Sequence, residues 1–171
     1  MSGAHDPGAE LVDVCDADGR VVGTATRRAM RAGRLPHRST YVLVFDAADR
    51  LFVHLRTATK DVYPSHWDVC VGGVCAAGED FAAGAARELR EELGVDAPLR
   101  ALFPFRWSDA HTVVFGEVFR ARHDGPFVLQ PEEVVRGEFL ALDAVAARAA
   151  REPFTPDGLA VLAEWRRRGQ P

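Results

Sequence analysis

Little in this chain departs from the ordinary, and each shortage excludes a class. Three cysteines, Cys15, Cys70 and Cys75, are too few and too odd in number for a disulfide framework. They read as free thiols in a reducing cytoplasm. No apolar run approaches the roughly 18 residues of a membrane helix, and Met1 to Glu10 lack the basic start and hydrophobic stretch of a leader, so a soluble, non-secreted protein with no membrane partner is expected. Charge of one sign is also scarce: 21 Lys plus Arg against 25 Asp plus Glu leave a formal −4, which gives nucleic acid no electrostatic foothold. What remains is 171 residues, 47% hydrophobic, the size of one globular domain with a real core.

The polar residues 1–9 and 169–171 read as loose ends. Leu11–Cys15 and Arg20–Thr24 flank an Asp-Gly turn, and Thr26–Ala32 reads as a helix stopped by Gly33, so 11–35 forms a hairpin and a helix. Thr40–Asp46 and Leu51–Arg56 are β-rich and predict a second antiparallel pair, with Trp67–Val71, Leu99–Arg106, Thr112–Ala121 and Gly137–Leu142 as further strands. Helices are predicted over Asp80–Leu93, Asp143–Arg151 and Pro156–Arg168, with Asp143 and Thr155 as caps of the last two. Strands interspersed with helices imply an α/β fold with a mixed sheet.

On a wheel of Asp80–Leu93, Glu91 and Glu92 fall about 60° and 40° to either side of Glu88, so three carboxylates share one stripe. Ala82, Ala86, Leu89 and Leu93 are expected on the adjacent buried stripe, with Arg90 in solvent. Like charges at these spacings repel, and a hard divalent cation suits the cluster better than the single charge of Arg87. Magnesium is the natural candidate, with manganese as the alternative. The glycines Gly72, Gly73 and Gly78 before the helix let backbone approach a metal or phosphate.

Gly73, five residues, Glu79, seven residues and then Arg87-Glu88-Leu89-Arg90-Glu91-Glu92-Leu93-Gly94-Val95 match the whole Nudix box, 73–95. Seven identities at about one in twenty each make coincidence negligible. The chain therefore resembles the Nudix superfamily over a single domain spanning 1–171. That resemblance implies an α/β/α sandwich with a mixed sheet, and a pyrophosphohydrolase that binds Mg²⁺ and a diphosphate in a small soluble molecule such as a nucleoside diphosphate derivative. It implies Glu88, Glu91 and Glu92 as metal ligands, the Gly73 carbonyl as a further ligand, and Arg87 with Glu79 as supports of the site. Arg56, Trp67, Gly72 and His37 are the candidate substrate contacts. A homodimer is left open.

Outside the box, Gly23-Thr24-Ala25-Thr26-Arg27-Arg28, Leu35-Pro36-His37-Arg38, Lys60-Asp61-Val62-Tyr63-Pro64 and Trp67 resemble the branch holding isopentenyl-diphosphate isomerases and their hydrolase-like relatives. The isomerases place a catalytic Cys five residues after that Trp, a metal-binding His two residues later and a His pair before the second strand. Here those places hold Gly72, Val74, Met30 and only His37. Cys70 lies two residues too early, about 7 Å along a strand, so Cys70 and Cys75 read as packing residues. Glu117, Glu132 and Glu133 read as solvated carboxylates. Hydrolysis is the leading expectation, isomerisation the alternative, and a metabolite-binding domain without catalysis a third.

Overall fold

The computed structural model describes residues 6–169. Its centre is β3, His37–Phe45, whose alternation sorts side chains to two faces as a pleated strand must. Tyr41, Leu43 and Phe45 enter one buried cluster, while Val42 and Val44 enter another on the opposite face. Helix α2, Phe81–Leu93, covers the second cluster with Ala85, Leu89 and Leu93. Helices α3, Leu142–Ala149, and α4, Pro156–Arg167, cover the first with Val145, Val161, Leu162 and Trp165. The product is an α/β/α sandwich, as expected.

The sheet is mixed. Strand β3 runs parallel to β7, Val113–Arg122, over nine residue pairs, and β6, Arg100–Ser108, continues antiparallel beyond it. On the other side β1, Leu11–Cys15, pairs with β2, Val21–Thr26, and touches β3 at Val14 and His37. The predicted pairing of β3 with β4, Leu51–Arg56, survives only next to its turn, at Phe45 and Leu51. Farther along, Val71 exchanges two backbone hydrogen bonds with Val42, at 2.7 and 3.0 Å, so that edge of β3 is already taken. Strand β4 instead pairs with β8, Val134–Leu140, and with the short β5, Trp67–Asp68. The expected strand Trp67–Val71 is thus two residues of ladder followed by single bridges.

Three local corrections have local causes. Residues 6–9, expected to be loose, form a 3₁₀ turn at Pro7–Ala9, joined to α1, Arg27–Ala32, by an Asp6–Arg28 ion pair of 2.7 Å. Gly169 continues the turn after α4, donating to the Arg166 carbonyl at 3.0 Å, and the rest of that expectation, 1–5 and 170–171, lies outside the described residues. The cap of helix α3 is Ala141 rather than Asp143, which lies in the first turn where a negative charge suits the helix dipole. On α2 the buried stripe runs through Gly84 and Ala85, not Ala82 and Ala86, and takes Glu92 inside with it. Among the described residues no helix is long and apolar enough to cross a membrane.

Candidate active site

Helix α2 begins where the Asp80 carboxylate accepts from the Ala83 amide at 2.7 Å and ends at Gly94, whose φ of 68° is left-handed. Leu89 and Leu93 anchor one stripe on the sheet, and this rotation forces Glu92, one residue before Leu93, to be only 4% exposed. Glu88, one turn earlier, points at the chain segment after β5. A Cβ on Gly73 would lie 2.8 Å from Glu88 Oε1, so glycine lets that carboxylate approach the backbone. At Gly72, with φ 151°, a Cβ would collide with the Thr40 carbonyl oxygen. The Gly73 carbonyl accepts from the Thr40 amide at 2.9 Å, which holds this segment against β3.

Arg87 ties helix to loop. Its Nε and Nη2 donate to the two oxygens of Glu79, at 2.9 and 3.0 Å, a bidentate fork that an ammonium cannot reproduce. Its Nη1 donates to Glu88 Oε1 at 2.8 Å and Glu91 Oε2 at 3.0 Å, and Nη2 also reaches the Val74 carbonyl at 3.3 Å. Glu79 in turn accepts from the Ala76 amide at 2.9 Å. These bonds hold the Glu79 carboxyl below the usual range, led by its hydrogen bond with Arg87. Arg90, by contrast, is exposed and paired among the described residues only with Asp96.

Glu88 and Glu92 behave in the opposite way. Burial pushes both carboxyls up, most of all Glu92, and the charge of Glu88 pushes Glu92 further. Glu92 Oε2 is buried without a hydrogen-bond partner among the described residues. A buried oxygen left unpaired beside a second carboxylate is the electrostatic signature of a place suited to a cation. The donor set is made of hard oxygens, which fits Mg²⁺ or Mn²⁺. As they stand, no three His, Cys, Asp or Glu side chains among the described residues converge into a cage, because Arg87 holds Glu91 and one oxygen of Glu88.

These carboxylates line a cleft of about 570 Å³ together with Arg27, Lys60, Gln130 and Glu133. Lys60 and Glu133 form an ion pair across it. Gly72 and Gly73 lie between this cleft and a smaller cavity lined by His37 and Arg56. Arg56 spends its guanidinium on the Val62 carbonyl at 2.9 Å, the Tyr63 carbonyl at 3.3 Å and Asp68 at 3.4 Å.

Trp67 lines neither cavity. It is 3% exposed, stacks on Phe154 and sits under Arg136 and Arg148, so the aromatic expected to meet substrate is a core residue. Cys70 and Cys75 are buried free thiols whose pKa values burial raises, Cys75 to about 12, which suits packing and not nucleophilic attack. Glu133 and Lys60 are the reverse case. The sequence alone points to a solvated role for Glu133 and marks Lys60 only through the Lys60–Pro64 resemblance. No local spacing reveals that they meet across 73 positions of sequence at the rim of the cleft.

Comparison with known proteins adds an independent line. The Nudix hydrolase YfcD of Salmonella typhi is 40% identical over 157 residues, covering 91% of this chain and 84% of that protein. The crystal structure of DR0079 from Deinococcus radiodurans superposes with a TM-score of 0.77 at 30% identity, covering 95% of this chain and all of that one. The Nudix domain of Shewanella oneidensis NrtR, solved with ADP ribose, shares the fold with a TM-score of 0.62 at 18% identity, covering 77% and 86% of the two chains. Residues 35–161 match the family model described as NUDIX domain, and with the box geometry above and these relatives the chain belongs to the Nudix family and is a hydrolase of that family.

Proposed function

We propose that the protein is a Mg²⁺-dependent pyrophosphohydrolase that cleaves a phosphoanhydride bond in a nucleoside diphosphate derivative or a similar small diphosphate, with Mn²⁺ as a substitute ion and the cytoplasm as its place of work. The observation that carries this reading is the unpartnered, buried Glu92 oxygen beside Glu88 at the floor of the cleft. Glu88, Glu91 and Glu92 would hold the metal, with the free lone pair of the Gly73 carbonyl as a further oxygen. Bound there, the ion supplies neutralisation of the anionic diphosphate and acidification of a coordinated water. The chain supplies the rest. Arg87, held by Glu79, keeps α2 and the glycine loop in register, so that the carboxylates meet the ion from a fixed direction. Lys60 and Arg27 place positive charge on the rim, where the phosphate oxygens of a substrate arrive. Gly72, His37 and Arg56 belong to the substrate side. The ADP ribose bound by NrtR supports a diphosphate of this class.

The isomerase alternative has a structural argument against it. Met30 and Val74, in places where the isomerases carry histidines, pack with Val12 in a small apolar cluster. Their side chains offer a hard divalent ion no oxygen or nitrogen ligand.

The test is a panel of nucleoside diphosphate derivatives assayed for phosphate-containing products with and without Mg²⁺, alongside isopentenyl diphosphate. Metal-dependent release of phosphate-containing products is expected. Isomerisation of isopentenyl diphosphate, with no hydrolysis across the panel, would contradict the reading.

A further inference from the structure

The cavity beyond Gly72 and Gly73 has a chemistry of its own. It measures about 80 Å³, several times the roughly 10–15 Å³ that one water requires, and Arg27, Lys60, Gly72, Gly73 and Val74 line both it and the acidic cleft. A molecule with its diphosphate in the cleft would therefore direct its attached group into this chamber. Three buried polar atoms of chamber-lining residues have no hydrogen-bond partner among the described residues: His37 Nε2, Thr40 Oγ1 and Asp157 Oδ1.

Two of these atoms are acceptors. His37 Nδ1 lies 2.9 Å from the Leu35 carbonyl, which can only accept, so Nδ1 carries the proton and Nε2 presents a lone pair. Burial holds the His37 pKa down to about 4, and the ring stays neutral. Asp157 uses Oδ2 to accept from the Tyr41 hydroxyl at 3.1 Å, leaving Oδ1 as the second acceptor. Thr40 adds a hydroxyl that can give or take. Such a lining demands O–H or N–H donors from whatever enters. The chamber's four cations, Arg27, Arg31, Arg56 and Lys60, outnumber its three carboxylates, Asp61, Asp68 and Asp157, so no surplus negative charge is present to hold an amine. Neutral hydroxyls on a phosphorylated group satisfy both conditions.

We propose that the inner chamber is the subsite for the group attached to the diphosphate, and that His37, Thr40 and Asp157 select a hydroxyl-bearing, sugar-like group over a hydrocarbon one. This rests on the reading of the acidic cleft as the diphosphate site. A hydrocarbon in the chamber would leave all three atoms desolvated and unpaired, and sites of that kind reject analogues that lack the hydroxyl.

The experiment measures binding with Mg²⁺ present, and because neither probe holds a phosphoanhydride bond the readout is independent of turnover. Ribose 5-phosphate and butyl phosphate, equal in charge and opposite in polarity, are titrated calorimetrically into the native protein, Asp157→Asn and Thr40→Val. The native protein is expected to bind ribose 5-phosphate about tenfold tighter or more. In Asp157→Asn the amide oxygen stays toward the Tyr41 hydroxyl and an NH₂ replaces the acceptor, so the preference should fall to near unity. Thr40→Val, isosteric and without the hydroxyl, should lower it about threefold and serves if the first variant does not fold. Equal affinities in the native protein, no binding of ribose 5-phosphate up to about 10 mM, or a preference untouched by either variant would overturn the proposal and leave the chamber as hydrated space. A native protein that discriminates yet hydrolyses no diphosphate retains the chamber and loses the hydrolase reading. One that hydrolyses without discriminating loses the chamber alone.

Discussion

The two faces of the sheet are built to different ends. Under α3 and α4, Phe45 and Trp165 meet at 5.1 Å between ring centroids, and Val145, Val161 and Leu162 fill the space around them with hydrocarbon. Under α2 the packing is thinner. Gly72, Gly73 and Gly84 replace side chains with backbone, and a carboxylate, Glu92, is buried next to Leu89 and Leu93. Around Phe45 and Trp165 the first face stabilises the protein by ordinary apolar burial. The other buries carboxylates at an electrostatic cost, the division expected if the proposed site is set on a rigid scaffold.

The sharpest way to break this comparison is to exchange effects between the faces. Glu92→Gln keeps the shape and removes the charge, so Mg²⁺-dependent turnover should fall by about a hundredfold or more, equivalent to roughly 2.7 kcal/mol, while the fold persists. Leu162→Ala should do the converse. A cavity under α4 costs about 2–5 kcal/mol of unfolding free energy, read from denaturant melts, and kcat should stay within about twofold while the protein is folded. If Leu162→Ala abolishes turnover in folded protein, the faces are not separable.

Within α2 the comparison narrows to two arginines. Arg87→Lys keeps charge but loses the fork to Glu79, and turnover at saturating Mg²⁺ should drop about tenfold, roughly 1.4 kcal/mol of transition-state stabilisation. Arg90→Lys, at an exposed residue paired with Asp96, should leave it unchanged within about twofold. Equal effects of the two would reduce Arg87 to a surface charge.

The smallest effect concerns pH. A carboxyl whose pKa is raised in the folded state binds its proton more tightly there, so its contribution to stability is lost as pH rises from the usual carboxylate value of about 4.5 through the folded one. Glu92→Gln has no such charge to bury. In metal-free buffer its Tm should match the native Tm near about pH 4 and exceed it by a few degrees near about pH 8, the gap closing when Mg²⁺ is added to the native protein. A gap that shrinks with rising pH would reverse the sign and the account of burial.

The acidic face was far more legible in the sequence than the chamber beside it, for a physical reason. Glu79, Arg87, Glu88, Glu91 and Glu92 lie within one loop and one helix, where spacing alone determines which side chains share a stripe. Even there, the depth of Glu92 was hidden, because it depends on how α2 rolls on β3. The chamber is assembled from distant segments: Tyr41 meets Asp157 across 116 positions, and Arg31 meets Asp61 across 30. Asp157 carried no local signal, since an acidic residue in the first turn of a helix is favoured by the dipole whatever else it does. Trp67 is the same case in reverse. An aromatic beside a glycine loop suggests stacking, and only the strand partners and the arginines above it reveal that its ring belongs to the core. The sheet followed suit, with the helices and most strands visible from pattern and the parallel union of β3 with β7 visible only in three dimensions.

The central claim is that Glu92 occupies its buried place in order to hold a cation for hydrolysis. Calorimetric titration of Mg²⁺ into native protein and Glu92→Gln, with both shown to be folded and turnover of one hydrolysed diphosphate followed in the same samples, tests it most directly. The account predicts saturable binding and turnover in the native protein and the loss of both in the variant. A folded Glu92→Gln protein that binds Mg²⁺ and turns over substrate like the native one would contradict it.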